Sequence, residues 1–295
     1  MPVLTAYPQG VSMFRPPSNL TPPPAARRGK VDGWNSHTAA RHLKWLMSVD
    51  PDALSGHDLY AFTLTTRSLP PDASDWQRLR DNWLREVRRE HPGVLYTWVV
   101  EWQGRGAPHL HGMLAVPSGT PREAVLGLCY KTWPRVASAY GALPCGQDCR
   151  PSPGTSGWFA YMGKHSGRSA SHRQRAGRPK GWTSTGRLWG HGKGWPTSSQ
   201  LIDLDQQAWF AVRRLLHSWA IADARRERDP RRRADRLRYL RRRRQLPADR
   251  SRYVGLREWA PPSVVRRLLD WAAAQGYEVS RIDAATGEIL PWQPL

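Results

Sequence analysis

Two histidines separated by one residue are the side chains in this sequence best suited to bind a metal ion. They lie in the segment Glu101-Trp-Gln-Gly-Arg-Gly-Ala-Pro-His-Leu-His111. Side chains alternate between the faces of a strand, so His109 and His111 should point the same way. A hairpin at Gly104-Arg-Gly106 would bring Glu101 back beside them. Two imidazoles and a carboxylate suit Mn²⁺, Mg²⁺, Fe²⁺ or Zn²⁺; the alternative is a pair of half-exposed histidines on a sheet surface.

A tyrosine and a lysine three residues apart form a second candidate, a nucleophile with a cation beside it. The segment Trp158-Phe-Ala-Tyr-Met-Gly-Lys164 is predicted to be helical, which places Tyr161 and Lys164 on one face. A phenol with a pKa of about 10 is a weak nucleophile at neutral pH. A metal that polarises a phosphate, or a nearby cation, offsets that weakness. The alternative is a buried helical tyrosine, and His165 is predicted to be a surface histidine rather than a base or phosphate contact.

The elements that must position these residues follow the order β-α-β-β-α-β-α, which is that of a split β-α-β, ferredoxin-like sheet. The pattern predicts helices over 36–47, 72–91, 121–141 and 156–166, and strands over 59–66, 94–103, 107–116 and 146–153. The sequence therefore predicts an α+β fold with a central antiparallel sheet.

The flanking segments differ from this core in composition. Residues 1–30 are rich in proline and are predicted to be a disordered arm, and residues 167–197 a basic loop that contains Gly186-Arg-Leu-Trp-Gly190. A helix should begin at Ser198 or Ser199 and reach Arg226. The Arg-rich stretch 225–252 is either a solvated helix or tail, or an arm that tracks phosphates. A helix over 263–275 and a hairpin over 277–291 should end the chain, so the predicted domains are the arm 1–30, a catalytic domain 31–200 and a helical basic C-terminal region 201–295.

The net charge of +21, from 45 Lys and Arg against 24 Asp and Glu, indicates a polyanionic partner. Nucleic acid is the commonest such partner, although a GC-rich genome also raises the arginine content. No apolar stretch approaches the ~18–20 residues that span a bilayer, and no signal peptide follows Met1, so we expect no membrane partner and a cytoplasmic location. Three cysteines without a secretion signal argue against a disulfide framework.

Aromatic residues alternate with positive charges after Tyr161, a combination that binds single-stranded DNA through stacking and phosphate contacts. The predicted DNA-binding residues are Arg168, Arg173, Arg175, Arg178, Lys180, Arg187 and Trp189. The alternative is that some tryptophans of this stretch, such as Trp182 and Trp195, belong to the core.

Together and in this order, Phe62-Thr-Leu-Thr65, the histidine segment and Tyr-x-x-Lys resemble the HUH endonuclease superfamily, specifically the rolling-circle replication initiators of phages and plasmids. The resemblance covers about residues 59–190. It implies that His109, His111 and Glu101 ligate Mg²⁺ or Mn²⁺, that Tyr161 is the nucleophile and that Lys164 contacts phosphate. It also implies a 5′-phosphotyrosine intermediate on single-stranded origin DNA, a free 3′-OH that primes synthesis and later religation. The implied partners are a host helicase and DNA polymerase in a bacterial or phage-infected cell.

Two other functions stay open. A single-tyrosine transposase or mobilisation protein would share the chemistry, but such transposases usually carry glutamine where this chain has Lys164, and they are shorter. A non-catalytic, RRM-like nucleic-acid-binding protein would need aromatic side chains projecting from the central strands, for which Tyr96 and Trp98 are the candidates. No Walker A pattern is present, so strand separation would need a partner.

Overall fold

The computed structural model describes residues 2–14, 32–167, 172, 178–244, 256–283 and 285–293. The chain forms two compact units. The central unit comprises residues 27–46 and 50–196, and the terminal unit comprises 1–26, 47–49 and 197–295. The expected boundary at residue 200 thus lies close to the break at 196, whereas the N-terminal segment belongs to the same unit as the C-terminal residues.

The strands and α-helices are numbered in chain order. They are β1 Val3–Tyr7, β2 Gly10–Phe14, α1 Ser36–Ser48, β3 His57–Thr65, α2 Ala73–Glu90, β4 Leu95–Trp102, β5 Pro108–Pro117, α3 Arg122–Gly127, α4 Trp133–Val136, β6 Asp148–Pro151, α5 Ser156–Met162, β7 Trp189–His191, β8 Gln200–Leu204, α6 Gln206–Arg226, α7 Pro230–Arg244, β9 Leu256–Trp259, α8 Pro262–Ala274, β10 Val279–Ile282 and β11 Ile289–Pro291.

The central unit contains a five-stranded antiparallel sheet in the order β6-β3-β5-β4-β7. From β3 to α5 its elements follow the order predicted from the sequence. Asp72 caps α2 by accepting a hydrogen bond from the backbone N–H of Asp75, the kind of start signal expected there. The helix predicted over 121–141 is instead broken into α3, a π-helical turn Leu128–Thr132 and α4, with Pro134 in the first turn of α4.

Tryptophan side chains fill one side of this sheet. Trp83 of α2 lies edge-on to Phe62 of β3, with ring centres 5.1 Å apart, and Trp133 packs at right angles to it. Both indoles are fully buried, and both satisfy their N–H groups by donating to backbone carbonyls, Trp83 to Leu128 and Trp133 to Thr65. Large aromatic surface is thereby buried without an unpaired donor, which fixes β3 against the helices.

The Gly186–Gly190 segment ends in a strand, so the prediction that residues 167–197 are only a loop is wrong for β7. A Cβ at Gly190 would lie 2.7 Å from the ring of Trp98, so only glycine lets β7 approach β4 this closely. Gly186 has φ +62°, a left-handed backbone conformation that favours glycine. Gly190 is therefore needed for the docking of β7 as an edge strand, and Gly186 for the backbone conformation that leads into it.

The terminal unit contains a six-stranded antiparallel sheet in the order β11-β10-β8-β1-β2-β9. The expectation of a disordered arm over 1–30 is wrong for residues 3–14, which form the hairpin of β1 and β2, and residues 15–31 lie outside the described residues. The helix expected from Ser198 or Ser199 begins at Gln206, because residues 200–204 form a strand that pairs with β1 and β10. Helices α6 and α8 supply the core against this sheet, with Trp209 and Leu268 fully buried.

The helix and the hairpin predicted near the C-terminus are present, but the prediction of a mainly helical C-terminal region is wrong, because β8, β9, β10 and β11 pair into the six-stranded sheet. Helix α8 matches the helix expected over 263–275, and β10 and β11 form the expected hairpin, in which Gly287 has φ +74°. Within the Arg-rich stretch, residues 230–244 form α7, which packs on α6 through Leu240, while 245–255 lie outside the described residues. No helix among the described residues is long and apolar enough to cross a membrane.

Candidate active site

Strand pairing brings Glu101, His109 and His111 to one face of the central sheet. Glu101 of β4 lies directly opposite His109 of β5, and the imidazole centres of the two histidines are 5.5 Å apart. His111 Nδ1 forms a 2.9 Å hydrogen bond with the hydroxyl of Thr63, which fixes the ring. Its Nε2 therefore faces Glu101 Oε2 at 3.8 Å, too far for a hydrogen bond.

The protonation states of these groups suit metal ligation. Burial lowers the pKa of both His109 and His111 to about 4, so both imidazoles are neutral at pH 7. Burial alone would raise the pKa of Glu101, but the hydrogen bond from His165 and the charge of Lys164 outweigh it and hold the pKa at about 2. The site therefore offers two neutral imidazoles and one carboxylate.

The chemistry of the three donors fits a divalent cation, although their donor atoms do not converge on a single position. No three His, Cys, Asp or Glu side chains in the described part of the chain converge closely enough to form a finished metal site. His109 Nδ1 is nevertheless buried and makes no hydrogen bond to any described residue, which is costly unless a ligand satisfies it. The 3.8 Å between His111 Nε2 and Glu101 Oε2 is short enough for both to reach one ion at about 2 Å each.

Tyr161 lies beside the histidines and remains accessible. It is 40% exposed, and its ring centre is 5.4 Å from that of His111. Trp158 stacks on it at 5.0 Å and donates its indole N–H to the carbonyl of Gly112 at 2.7 Å, so the phenol is backed by a ring anchored to β5. An exposed phenol next to potential metal ligands is placed for attack on a bound phosphate.

Lys164 contacts both the nucleophile candidate and the carboxylate. It follows α5 in a 3₁₀ turn, Gly163–Gly167, rather than in the same helix as Tyr161. Its Nζ lies 3.3 Å from the centre of the Tyr161 ring and 2.8 Å from Glu101 Oε1. The predicted proximity of Tyr161 and Lys164 is present, and the pairing of Lys164 with Glu101 was not anticipated from the sequence.

His165 is buried, so its prediction as a surface residue is wrong. The 3₁₀ turn carries its ring inward, where Nε2 lies 3.1 Å from Glu101 Oε1 and the ring stacks on Trp34 at 4.3 Å. Nothing in the local spacing pointed to this contact, because Glu101 is 64 residues away in the chain.

The predicted DNA-binding residues occupy different environments. Arg168, Arg173 and Arg175 lie outside the described residues. Arg178, Lys180 and Arg187 are exposed, and Arg178 pairs with Asp32. Trp189 is half-buried in β7 with its ring 4.9 Å from that of His42. Trp182 and Trp195 are core residues that donate to the carbonyls of Pro70 and Tyr96, in line with the alternative interpretation of these tryptophans.

The aromatic platform that an RRM-like binding protein needs is not available at Trp98. This side chain is only 3% exposed, because the guanidinium of Arg80 lies over its ring at 4.1 Å and the backbone of Gly190 packs against it. Trp98 therefore serves the core rather than base stacking, which weakens the non-catalytic alternative.

Comparison with known proteins places the chain among replication proteins. Residues 59–195 match the family model for the replication-associated protein ORF2/G2P. The chain is 40% identical over 298 aligned positions to a protein of Xylella fastidiosa strain 9a5c named as a replication protein, covering 95% of this chain and 99% of that one. It is 34% identical over 260 positions to the replication-associated protein G2P of Pseudomonas phage Pf3, covering 86% and 91%. No solved structure matches it significantly.

Proposed function

The chain belongs to the replication-associated protein ORF2/G2P family, and on that premise we propose that it is a metal-dependent HUH endonuclease that initiates rolling-circle replication. The observation on which this rests is the exposed phenol of Tyr161, 5.4 Å from His111, beside two histidines and a carboxylate. The strand order β6-β3-β5-β4, all antiparallel, supports a split β-α-β sheet of the ferredoxin type for the catalytic unit.

The proposed reaction is a reversible phosphoryl transfer. Tyr161 Oη loses its proton and attacks the phosphorus of the scissile bond in single-stranded DNA. The P–O3′ bond breaks, the leaving oxygen takes up a proton as a free 3′-OH, and the new bond is a 5′-phosphotyrosine. Attack by a 3′-OH on this linkage reverses the step and rejoins DNA. Mg²⁺ or Mn²⁺, held by His109, His111 and Glu101, would supply Lewis-acid polarisation of the phosphate.

In the proposed reaction, Trp158 orients the attacking tyrosine and Lys164 supplies positive charge. Trp158 supports the ring of Tyr161, and Lys164 lies near enough to offset negative charge that develops on the phenol or on the phosphate. The new 3′-OH would prime synthesis by a host DNA polymerase in the cytoplasm of a bacterial or phage-infected cell, with a helicase separating the strands.

Covalent capture tests the nucleophile. Single-stranded oligonucleotides tiling the gene and its flanking DNA, labelled at the 3′ end, are incubated with protein and Mn²⁺ and run on a denaturing gel. We expect a labelled adduct that mass spectrometry assigns to Tyr161, and no adduct from Tyr161→Phe, which keeps the ring but lacks the attacking oxygen. Tyr130→Phe serves as the matched control. An adduct on another tyrosine, or a normal yield from Tyr161→Phe, would refute the assignment.

Metal dependence is tested in the same assay. His109→Ala or His111→Ala should abolish adduct formation, with a much smaller effect on DNA affinity, because the phosphate contacts lie mainly on arginines and lysines. Undiminished cleavage in excess chelator would contradict the metal role.

A further inference from the structure

The two oxygens of the Glu101 carboxylate have different neighbours. Oε1 lies 2.8 Å from Lys164 Nζ and 3.1 Å from His165 Nε2. Oε2 faces His111 Nε2 at 3.8 Å. One oxygen is thus engaged by two nitrogen groups, while the other is turned toward the proposed metal ligands.

His165 is the more rigid of the two groups that engage Oε1. A carboxylate can only accept hydrogen bonds, so Nε2 of His165 must carry the hydrogen in this contact. The His165 side chain is 1% exposed, and its ring lies parallel to that of Trp34, with an interplanar angle of 7°. Lys164, by contrast, is a flexible chain whose Nζ is also in contact with Tyr161.

We propose that His165 is a positioning residue that holds Glu101 Oε1, so that Oε2 is presented to a divalent cation shared with His109 and His111. This role rests on the proposed function, because it needs a metal at the three donors. It also separates two tasks: His165 orients the carboxylate, and Lys164 can leave Glu101 for a phosphate of the substrate without releasing the metal ligand.

A direct measure of this role is the affinity for Mn²⁺ without DNA, read from the electron paramagnetic resonance signal of free Mn²⁺. Hydrogen-bonding partners that orient metal ligands typically contribute 10- to 100-fold to metal affinity. His165→Phe keeps a ring against Trp34 but cannot donate, and we expect its affinity to fall by at least about 10-fold. His165→Gln loses the ring but places an amide N–H near the position of Nε2, and we expect it to retain affinity within about 3-fold of the wild type.

The opposite ranking, with His165→Phe unchanged or His165→Gln weaker than His165→Phe, would show that the ring matters only for packing and would overturn the role. His109→Ala provides the baseline without a site. Failure of the wild-type protein itself to bind Mn²⁺ would instead count against the metal in the proposed function, and His165 would lose its role with it.

A second readout is the tautomer of His165 in the wild-type protein, which does not depend on any substitution at position 165. Nitrogen-15 NMR of histidine-labelled wild-type protein should show His165 with its hydrogen on Nε2, and the Glu101→Gln substitution should shift that resonance. A wild-type ring protonated only on Nδ1 would exclude donation to Glu101 and overturn the role.

Discussion

At the level of single residues, the charge around Tyr161 is arranged by Lys164. Its ammonium lies 3.3 Å from the phenol ring and 2.8 Å from Glu101 Oε1, so it lies between the proposed nucleophile and an anion. When a phosphate enters, the negative charge of the transferring group competes with Glu101 for this cation. Lys164 is therefore expected to act on the rate of transfer more than on the affinity for DNA.

Replacing Lys164 by glutamine should lower the single-turnover rate of adduct formation by roughly 10²-fold, the usual loss when one preorganised charge or donor is removed. DNA affinity should change little, because many other cations contribute to it. Rates are measured by quenched reactions on the labelled oligonucleotide, and Lys131→Gln, an exposed lysine of the same unit, is the control. Equal losses in the two variants would indicate a general charge effect.

The pH dependence of metal affinity follows from the protonation of the three donors. His109 and His111 have pKa values of about 4 and Glu101 of about 2, all below the ordinary values, so protons would not compete with the proposed metal ion near neutrality. Mn²⁺ affinity should be constant from pH 8 to about 5.5 and weaken as the pH falls toward 4. Titration of Mn²⁺ at several pH values checks this. A loss that already begins near pH 6.5 would show histidines with an ordinary pKa.

These residues differ in how far the sequence could identify them. The common face of His109 and His111 follows from strand alternation and could be predicted. The closeness of Tyr161 and Lys164 was predicted from helical spacing, but in the structure a 3₁₀ turn after α5 provides it. The contact of His165 with Glu101 could not be predicted, since it depends on how a turn after α5 meets a strand far away in sequence.

At the level of elements, glycines determine how closely the strands approach. Gly112 follows His111 on β5, and a Cβ there would lie 2.2 Å from both Phe62 Cζ and the carbonyl oxygen of Thr97. The backbone oxygen cannot move aside without breaking the pairing of β4 with β5. The strand that carries the histidines therefore requires glycine at this position.

Gly112→Ala should lower the free energy of unfolding of the protein by about 1–3 kcal/mol or more, as expected for overpacking against a rigid neighbour. Gly154→Ala is the matched control, because nothing lies within 4 Å of a Cβ at that glycine. Urea unfolding followed by tryptophan fluorescence measures both. A Gly112→Ala variant as stable as Gly154→Ala would mean that β3 and β4 can move apart.

The elements that were predicted incorrectly depend on distant partners. Leu201 and Leu204 have the spacing of a helix, but Leu201 pairs with Thr5 of β1, almost two hundred positions earlier in the chain, and Leu204 pairs with Val279 of β10. Likewise, β7 is a three-residue strand that forms only because β4 offers an edge. Amphipathic helices such as α2 and α8 carry their own periodic signal and were predicted correctly. Local patterns therefore identified the helices, whereas short strands required knowledge of their pairing.

At the level of the whole molecule, the sequence similarity to replication proteins extends over both units. The alignment with the Xylella fastidiosa protein covers 95% of the chain, although the family model matches only residues 59–195. The α+β class and the antiparallel sheet of the central unit could be predicted from the sequence, but the sheet of the terminal unit could not, because its strands come from both ends of the chain. This unit also carries the Arg-rich α7, whose role the proposed catalytic function of the central unit does not explain.

The last prediction assigns these arginines to DNA. Arg225, Arg231, Arg236 and Arg241 are exposed on α6 and α7. If each neutralises one phosphate of a single strand, their joint replacement by glutamine should reduce the slope of log K against log salt by ~3, because each contact contributes ~0.7. Fluorescence anisotropy with a labelled oligonucleotide from 50 to 300 mM NaCl, roughly the range where such slopes are measured, gives the value.

The matched control is a variant in which four exposed arginines of the central unit are replaced by glutamine, namely Arg85, Arg88, Arg122 and Arg135. An unchanged slope in the first variant would mean that these arginines of α6 and α7 are solvated and do not touch DNA. An equal reduction in both variants would mean that the protein binds DNA through its overall charge of +21 rather than through these two helices.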